Sequence, residues 1–275
     1  MKKYLSLLLA LLLSLSLLSA CGGGTEEAPD DGASNGPVAE SDLAYVQDKG
    51  VLTVGITDFA PMDYQEEGSD EWIGFDADLA KAFAASLGVS VEFVEITWDT
   101  KAIDLETKGI DAVWNGMTLT EEVRSLMGVG TPYCKNAQVV VAPNGTTFAD
   151  TDSLINSGLS FAAENGSAGA EALDDLGIAY TACDTQAKAL MEVASGSSQV
   201  CVIDLLMAGA MIGEGTSYPD LAASLELTSE EYVVGFRMGS DLVDAFNEFW
   251  TAACADGTVN ATATQYGVAQ NVIAG

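Results

Sequence analysis

The sequence predicts an α/β protein of two lobes, each a mainly parallel sheet flanked by helices. Strand-like and helix-like patterns alternate from about Ser41 onward, as α/β layers require. That stretch of about 230 residues is long for one core and natural for two. Beyond the N-terminal segment no apolar run reaches the length of a spanning helix.

Val51 to Ile56 reads as the first strand. Asp76 is read as the cap of a helix whose Leu79, Ala80, Phe83, Ala84 and Leu87 share one face and which Gly88 ends. Val89, Val91 and Phe93 alternate as a strand, and Ala102 to Thr107 is a short helix stopped by Gly109. Ile110 to Trp114 is strand again, and beyond Pro132 the run Gln138 to Ala142 is a strand bounded by Pro143. A second series follows. Leu159 to Ala163 is a strand, then come a Gly/Ser turn and a helix near Ala170 to Leu176. A strand near Ala179 to Cys183 and a helix from Thr185 to Ala194 come next. Val200 to Ile203 is a strand with a helix after Asp204. Tyr232 to Arg237 is the last strand, and Asp241 to Ala255 an amphipathic helix. In open parallel sheets ligands bind beyond the carboxyl ends of the strands, so the loops after Ile56, Trp114, Ala163 and Ile203 are the places to inspect.

The N-terminus decides the compartment. Lys2 and Lys3 precede an apolar run from Leu5 to Leu18, and Leu18-Ser19-Ala20-Cys21 sets small residues before a cysteine. This is a signal peptide over residues 1–20 rather than a span. The cysteine makes it resemble a bacterial lipobox, which implies lipidation of Cys21 and anchoring on the outer face of the membrane. A plain signal peptide with an incidental cysteine is the alternative. Residues 21–40 are Gly, Ala, Ser, Pro and acid with no large apolar side chain, the composition of a flexible tether.

Charge and missing residue types exclude several function classes. The formal net charge is −31, and losing Lys2 and Lys3 with no acid takes it to −33. Nucleic acid and anionic lipid heads are therefore unsuitable partners. The chain has no histidine, and Cys134, Cys183, Cys201 and Cys254 form no C-x-x-C pair. Histidine metal sites, Ser-His triads and Cys-His dyads are excluded, and no cofactor or metal is expected. Buried free thiols are the expected state of the four cysteines.

The stretches "LTVGITDFAPMDY", "WIGFDADLAKAFAASLGVSVEFVEITWD", "GIDAVWNGMTLTEE", "NGSAGAEAL" and "VCVIDLLMAGA" resemble, in order, the polar amino-acid-binding family of extracellular solute-binding proteins of ABC importers. The resemblance implies a type II periplasmic-binding-protein-like fold, whose lobes close on the ligand about two crossings near Val140 and Thr228. Lobe 1 would comprise residues 41–139 plus 229–275, and lobe 2 residues 140–228. The implied site residues are Phe59 and Trp98 as aromatic walls, with core packing as the alternative. Asn115, Gly116 and Thr118 would offer main-chain groups and a hydroxyl to the α-amino and α-carboxylate groups, although "NG" is also a common turn. Ser167 and Ala168 would seat a carboxylate at a helix N-terminus. Asp204 would pair with the α-ammonium or, alternatively, cap the helix after it.

One position departs from the resemblance. The family places a carboxylate-clamping arginine five residues after the equivalent of Thr118. Here that residue is Val123 and Arg124 follows, turned by about 100° on a helix. A local shift at the helix start could bring Arg124 back. Glu164 stands where a glutamine-binding relative has a lysine. With Asp58 and Asp63 it would make an acid-rich cleft suited to a cationic or amine-bearing solute, with Trp98, Phe59 or Trp114 adding cation–π attraction. Solvated surface acids are the bland alternative.

The expected function is capture of a small polar solute, an amino acid or relative, and its delivery to an ABC permease by a monomeric, membrane-anchored, non-enzymatic protein. A lyase resembling cyclohexadienyl dehydratase is the alternative, with Glu164 as its acid. A sensory lipoprotein is the third possibility, which the lack of a module after Gly275 does not favour.

Overall fold

The computed structural model describes residues 41–274. The signal peptide, Cys21 and the tether expected over residues 1–40 lie outside the described residues. The chain enters through α1 (Asp42–Lys49), whose cap Ser41 accepts a hydrogen bond from the Ala44 amide at 3.0 Å and which Gly50 closes in the left-handed conformation. Next come β1 (Val51–Ile56), the short hairpin β2 (Tyr64–Gln65) and β3 (Trp72–Ile73), α2 (Phe75–Ser86) and β4 (Ser90–Glu95). A 3₁₀ turn (Trp98–Thr100) leads into α3 (Lys101–Glu106), β5 (Ala112–Thr118), α4 (Glu121–Leu126), β6 (Gly128–Val129) and β7 (Cys134–Asn136).

The next part runs β8 (Gln138–Pro143), α5 (Thr151–Ile155), β9 (Phe161–Glu164), α6 (Ala168–Asp175), β10 (Tyr180–Cys183) and α7 (Gln186–Ser195). It continues with β11 (Val200–Asp204), α8 (Leu205–Met211) and β12 (Leu221–Glu226). The chain then completes β13 (Glu230–Phe236), α9 (Leu242–Asp256) and α10 (Thr258–Gln265).

Two sheets result. The first has the order β4-β1-β5-β13-β6, with β7 also on β13, and the second β10-β9-β11-β8-β12. In each, three parallel strands (β4, β1, β5 and β10, β9, β11) form one half, and the remaining strands pair antiparallel. The sheets are mainly parallel where ligands are expected and mixed at the far edge. Central strands such as β1 and β11 are buried along almost their whole length, because helices cover both faces. The crossings between the sheets lie side by side. The Gln138 amide donates to Thr228 Oγ1 at 2.8 Å, and the Leu227 amide donates to the Gln138 carbonyl at 2.8 Å.

Asp76 does not cap α2. The cap position belongs to Gly74, whose φ of 132° and whose approach to the Met62 carbonyl, 2.1 Å from where a Cβ would stand, exclude other residues. Asp76 is the second residue of the helix and fully buried, its Oδ2 accepting from the Gly116 amide at 2.7 Å and the Tyr133 hydroxyl at 2.6 Å. Arg237 ties α1 to the first sheet: its Nε reaches Asp42 at 2.9 Å, its Nη2 reaches Asp111 at 3.2 Å, and its Nη1 donates to the Leu105 and Ile110 carbonyls. Cys134, Cys183 and Cys201 are buried free thiols, and Cys254 is a partly buried one. Among the described residues no helix is long and apolar enough to cross a membrane.

Candidate functional site

A cleft opens between the carboxyl ends of β5 on one side and of β9 and β11 on the other. From the first sheet it is lined by Trp98, Lys101, the segment Asn115–Thr118 and Val123. From the second come Glu164, Ser167 and Ala168 at the β9–α6 junction, Gln186 on α7 and Asp204 at the end of β11. At the rim Asn165 Nδ2 donates to Asp99 Oδ2, which links the two sides.

The Asn115–Thr118 wall is built from beneath. Asn115 turns its side chain inward: Oδ1 accepts from Thr57 Oγ1 at 2.8 Å, and Nδ2 donates to the Thr57 carbonyl at 3.0 Å and to Asp63 Oδ2 at 2.8 Å. The Gly116 amide is taken by Asp76. These two residues therefore face the cleft with main-chain atoms other than that amide. Burial pushes Asp76 up to about 7, against hydrogen bonds from Tyr133 and Gly116. Burial and the neighbouring Asp76 charge push Asp63 well above the usual carboxylate range.

Phe59 lies under this wall rather than on it. It is 2% exposed, packs edge-on against Tyr232 with centroids 6.3 Å apart, and supports Gly116 from below. Gly116 has φ 56°, and a Cβ there would stand 2.4 Å from Phe59 Cε1 and 3.1 Å from Tyr232 Cε2. Gly116→Ala should therefore cost about 2–4 kcal/mol from left-handed strain and overpacking together. The denaturation midpoint should fall at unchanged m-value; a wild-type midpoint would show the wall to be plastic.

Asp204 is the junction of the site. No helix-cap bond forms from its side chain. Its Oδ1 accepts from Tyr232 Oη at 2.7 Å, Gln138 Nε2 at 3.0 Å and Asn136 Nδ2, and its Oδ2 from Gln186 Nε2. Glu230 Oε1 shares two of those donors, Asn136 at 2.7 Å and Gln138 at 2.7 Å, and also accepts from Thr118 Oγ1 at 2.8 Å. The two carboxylates are thus stitched across the crossings. Burial and the charge of Glu230 push Asp204 up to about 7. A carboxylate has about four acceptor positions, so Oδ2, with one donor, is the oxygen with room for another.

Glu164, at the end of β9, is 3% exposed, and its Oε1 has no hydrogen-bond partner. Burial first and the Asp204 charge second push it up to about 8, partly offset by Gln186 and Lys101. Lys101 donates to the Trp98 carbonyl at 3.0 Å and stands 5.4 Å over the Trp98 ring, with no carboxylate within ion-pair distance among the described residues. Burial lowers its pKa, while Glu122, Asp99, Glu164 and Glu171 act the other way. Ser167 caps α6, its Oγ accepting from the Ala170 amide at 3.2 Å.

The remaining sequence candidates stand elsewhere. Val123 lines the cleft and is 5% exposed, whereas Arg124 is exposed and does not line it, as the one-residue rotation requires. Trp114 is buried among Phe83, Tyr133 and Phe246. Asp63 lies below the Asn115 wall, and Asp58 is exposed outside the cleft lining. Lys101, Gln186, Asn136, Gln138, Tyr232 and Glu230 escaped the sequence reading, since no local motif marks them.

The profile of the bacterial extracellular solute-binding proteins, family 3, matches residues 52–269. The L-cystine-binding protein TcyA of Bacillus subtilis is 34% identical over 122 residues, a match covering 44% of this chain and 44% of that protein. Among solved structures, a mutant of ArgBP from T. maritima superposes with a TM-score of 0.75 at 29% identity, over 82% of this chain and 99% of the other. An ancestral amino acid-binding protein, precursor of cyclohexadienyl dehydratase, gives 0.74 at 27% identity over 82% and 99%. The chain has the type II periplasmic-binding-protein architecture those neighbours share. With most of its described length matched, it belongs to the bacterial extracellular solute-binding proteins, family 3.

Proposed function

We propose that the protein captures an amino acid between its two lobes outside the cytoplasm, held to the membrane through lipid on Cys21, and delivers it to an ABC permease. The observation that carries this reading is a cleft between two sheets joined by adjacent crossings, polar on both walls. The Lys101 ammonium and the α6 N-terminus suit a carboxylate, and Asp204 Oδ2 suits an ammonium. Solute contacts made with both walls favour the closed arrangement, because they exist only there. The amino-acid-binding relatives support the ligand class.

A thermal-shift panel of amino acids, polyamines and betaines tests this. A solute at 100 times its Kd should stabilise the fold by about 2.7 kcal/mol, a rise of roughly 5–11 °C for a domain of this size. A flat panel together with turnover of prephenate or arogenate would replace capture with the lyase. That second reading keeps one observation in its favour, the proton that burial holds on Glu164. Loss of lipid labelling in Cys21→Ser checks the anchor.

A further inference from the structure

Glu164 is the one cleft-lining acid whose buried oxygen has nothing to bind. The other buried acid of the cleft, Asp204, is surrounded by donors from four residues. A buried carboxyl oxygen without a partner is a standing penalty that a donor on the bound solute would remove. Each element around Glu164 contributes a defined group. Asp204 on β11 repels its charge, Lys101 on α3 attracts it, and Gln186 on α7 offers an amide. Cys183 on β10 is a thiol that burial keeps protonated. Behind Lys101 stand Glu122, Asp99 and Glu171, which share that lysine's charge.

We propose, building on amino-acid capture as the function, that Glu164 selects solutes with a cationic side chain and gives up a proton when such a side chain docks against its Oε1. The Glu164 O–H bond breaks and its proton passes to the solvent. The guanidinium or ammonium of the solute keeps all its protons and donates an N–H to the carboxylate that remains. Free Glu164, held near about 8, carries its proton at neutral pH, and a cation in contact favours the ionised form instead.

The sign of the linkage follows. Below about pH 8 a cationic solute must displace one proton, so its affinity weakens by up to about tenfold for each unit that pH falls. A solute with an uncharged isosteric side chain displaces no proton from Glu164 and lacks this contribution to the slope. Two L-amino acids of nearly the same shape, arginine and citrulline, separate the cases.

Titration calorimetry of the full chain near pH 7, in phosphate and in Tris, counts the protons exchanged from the difference in buffer ionisation enthalpy. L-arginine is expected to release about one proton more than L-citrulline, whose α-ammonium against Asp204 is common to both, with arginine preferred by at least about tenfold at pH 8. Glu164→Gln, nearly isosteric, should abolish the difference in proton release between the probes and collapse the arginine preference. Equal binding of the two probes with equal proton release overturns the proposal. So does binding of other amino acids while both probes fail, which leaves capture itself intact. A chain that binds no amino acid at all overturns capture as well.

Discussion

Asp204→Asn is expected to abolish solute capture, because it removes the carboxylate that holds the crossings and the ammonium site together. The reason is the direction of every hydrogen bond around the residue. Asn136, Gln138, Gln186 and Tyr232 all donate to the carboxylate, and its own amide donates at 2.8 Å to Gln186 Oε1. An asparagine brings an NH₂ group into a shell made only of donors. Placed toward Gln186 it meets Nε2, and flipping Gln186 sets that same Nε2 against the Asp204 amide. Turned the other way, it faces three donors. No rotation satisfies the shell, so at least one buried donor loses its partner. Because Asn136 and Tyr232 belong to strands of the first sheet and Asp204 to the second, the same loss unpins the crossings. Calorimetric binding of the solute found by the panel checks this. Wild-type affinity would remove Asp204 from the site.

That shell also marks where sequence reading stops. The acid at 204 was legible because it follows an apolar strand, and the cleft edges were legible because parallel strands point their carboxyl ends at ligands. Its four donors come from positions 136, 138, 186 and 232, a grouping that only the folded topology makes. At Asn115-Gly116 a local signal misled. The pair has turn composition, and the strand was expected to end at Trp114. Instead β5 continues to Thr118, because Thr57 and Asp63 satisfy the Asn115 side chain and the left-handed Gly116 is taken up opposite a register shift in β13. Elements with weak local propensity were missed for the same reason. The helix α10 is "TVNATATQ", rich in β-branched threonine, and is held by packing on α2 and α9 rather than by its own preference. Lys101 follows Trp98 by three residues and carries no motif, so its place in the cleft emerges only with the 3₁₀ turn that puts its ammonium over the indole.

Lowering the pH from 8 to 5 should stabilise this protein, opposite to the usual effect of salt-bridged carboxylates. Asp76 and Asp204 are pushed to about 7 and Glu164 to about 8 in the folded chain, against unfolded values of 3.8, 3.8 and 4.5. Asp63 moves in the same direction. Between the unfolded and folded values the native state binds more protons, so stability rises as pH falls through that window and is lost as pH rises through the folded values. At about 1.4 kcal/mol per unit for each group, the three valued shifts set a ceiling of roughly 9 kcal/mol between pH 8 and 5. Even a third of that raises the melting temperature by about 6–12 °C. The net charge of −31 pushes the same way through surface repulsion, but about 1 M salt shortens the screening length to about 3 Å and removes that part while leaving buried groups unscreened. The slope that survives high salt therefore belongs to the buried acids. A melting temperature that is flat or falls from pH 8 to 5 in high salt would mean these carboxyls are ionised at little cost. The proton that Glu164 is proposed to release on capture would then not be there to release.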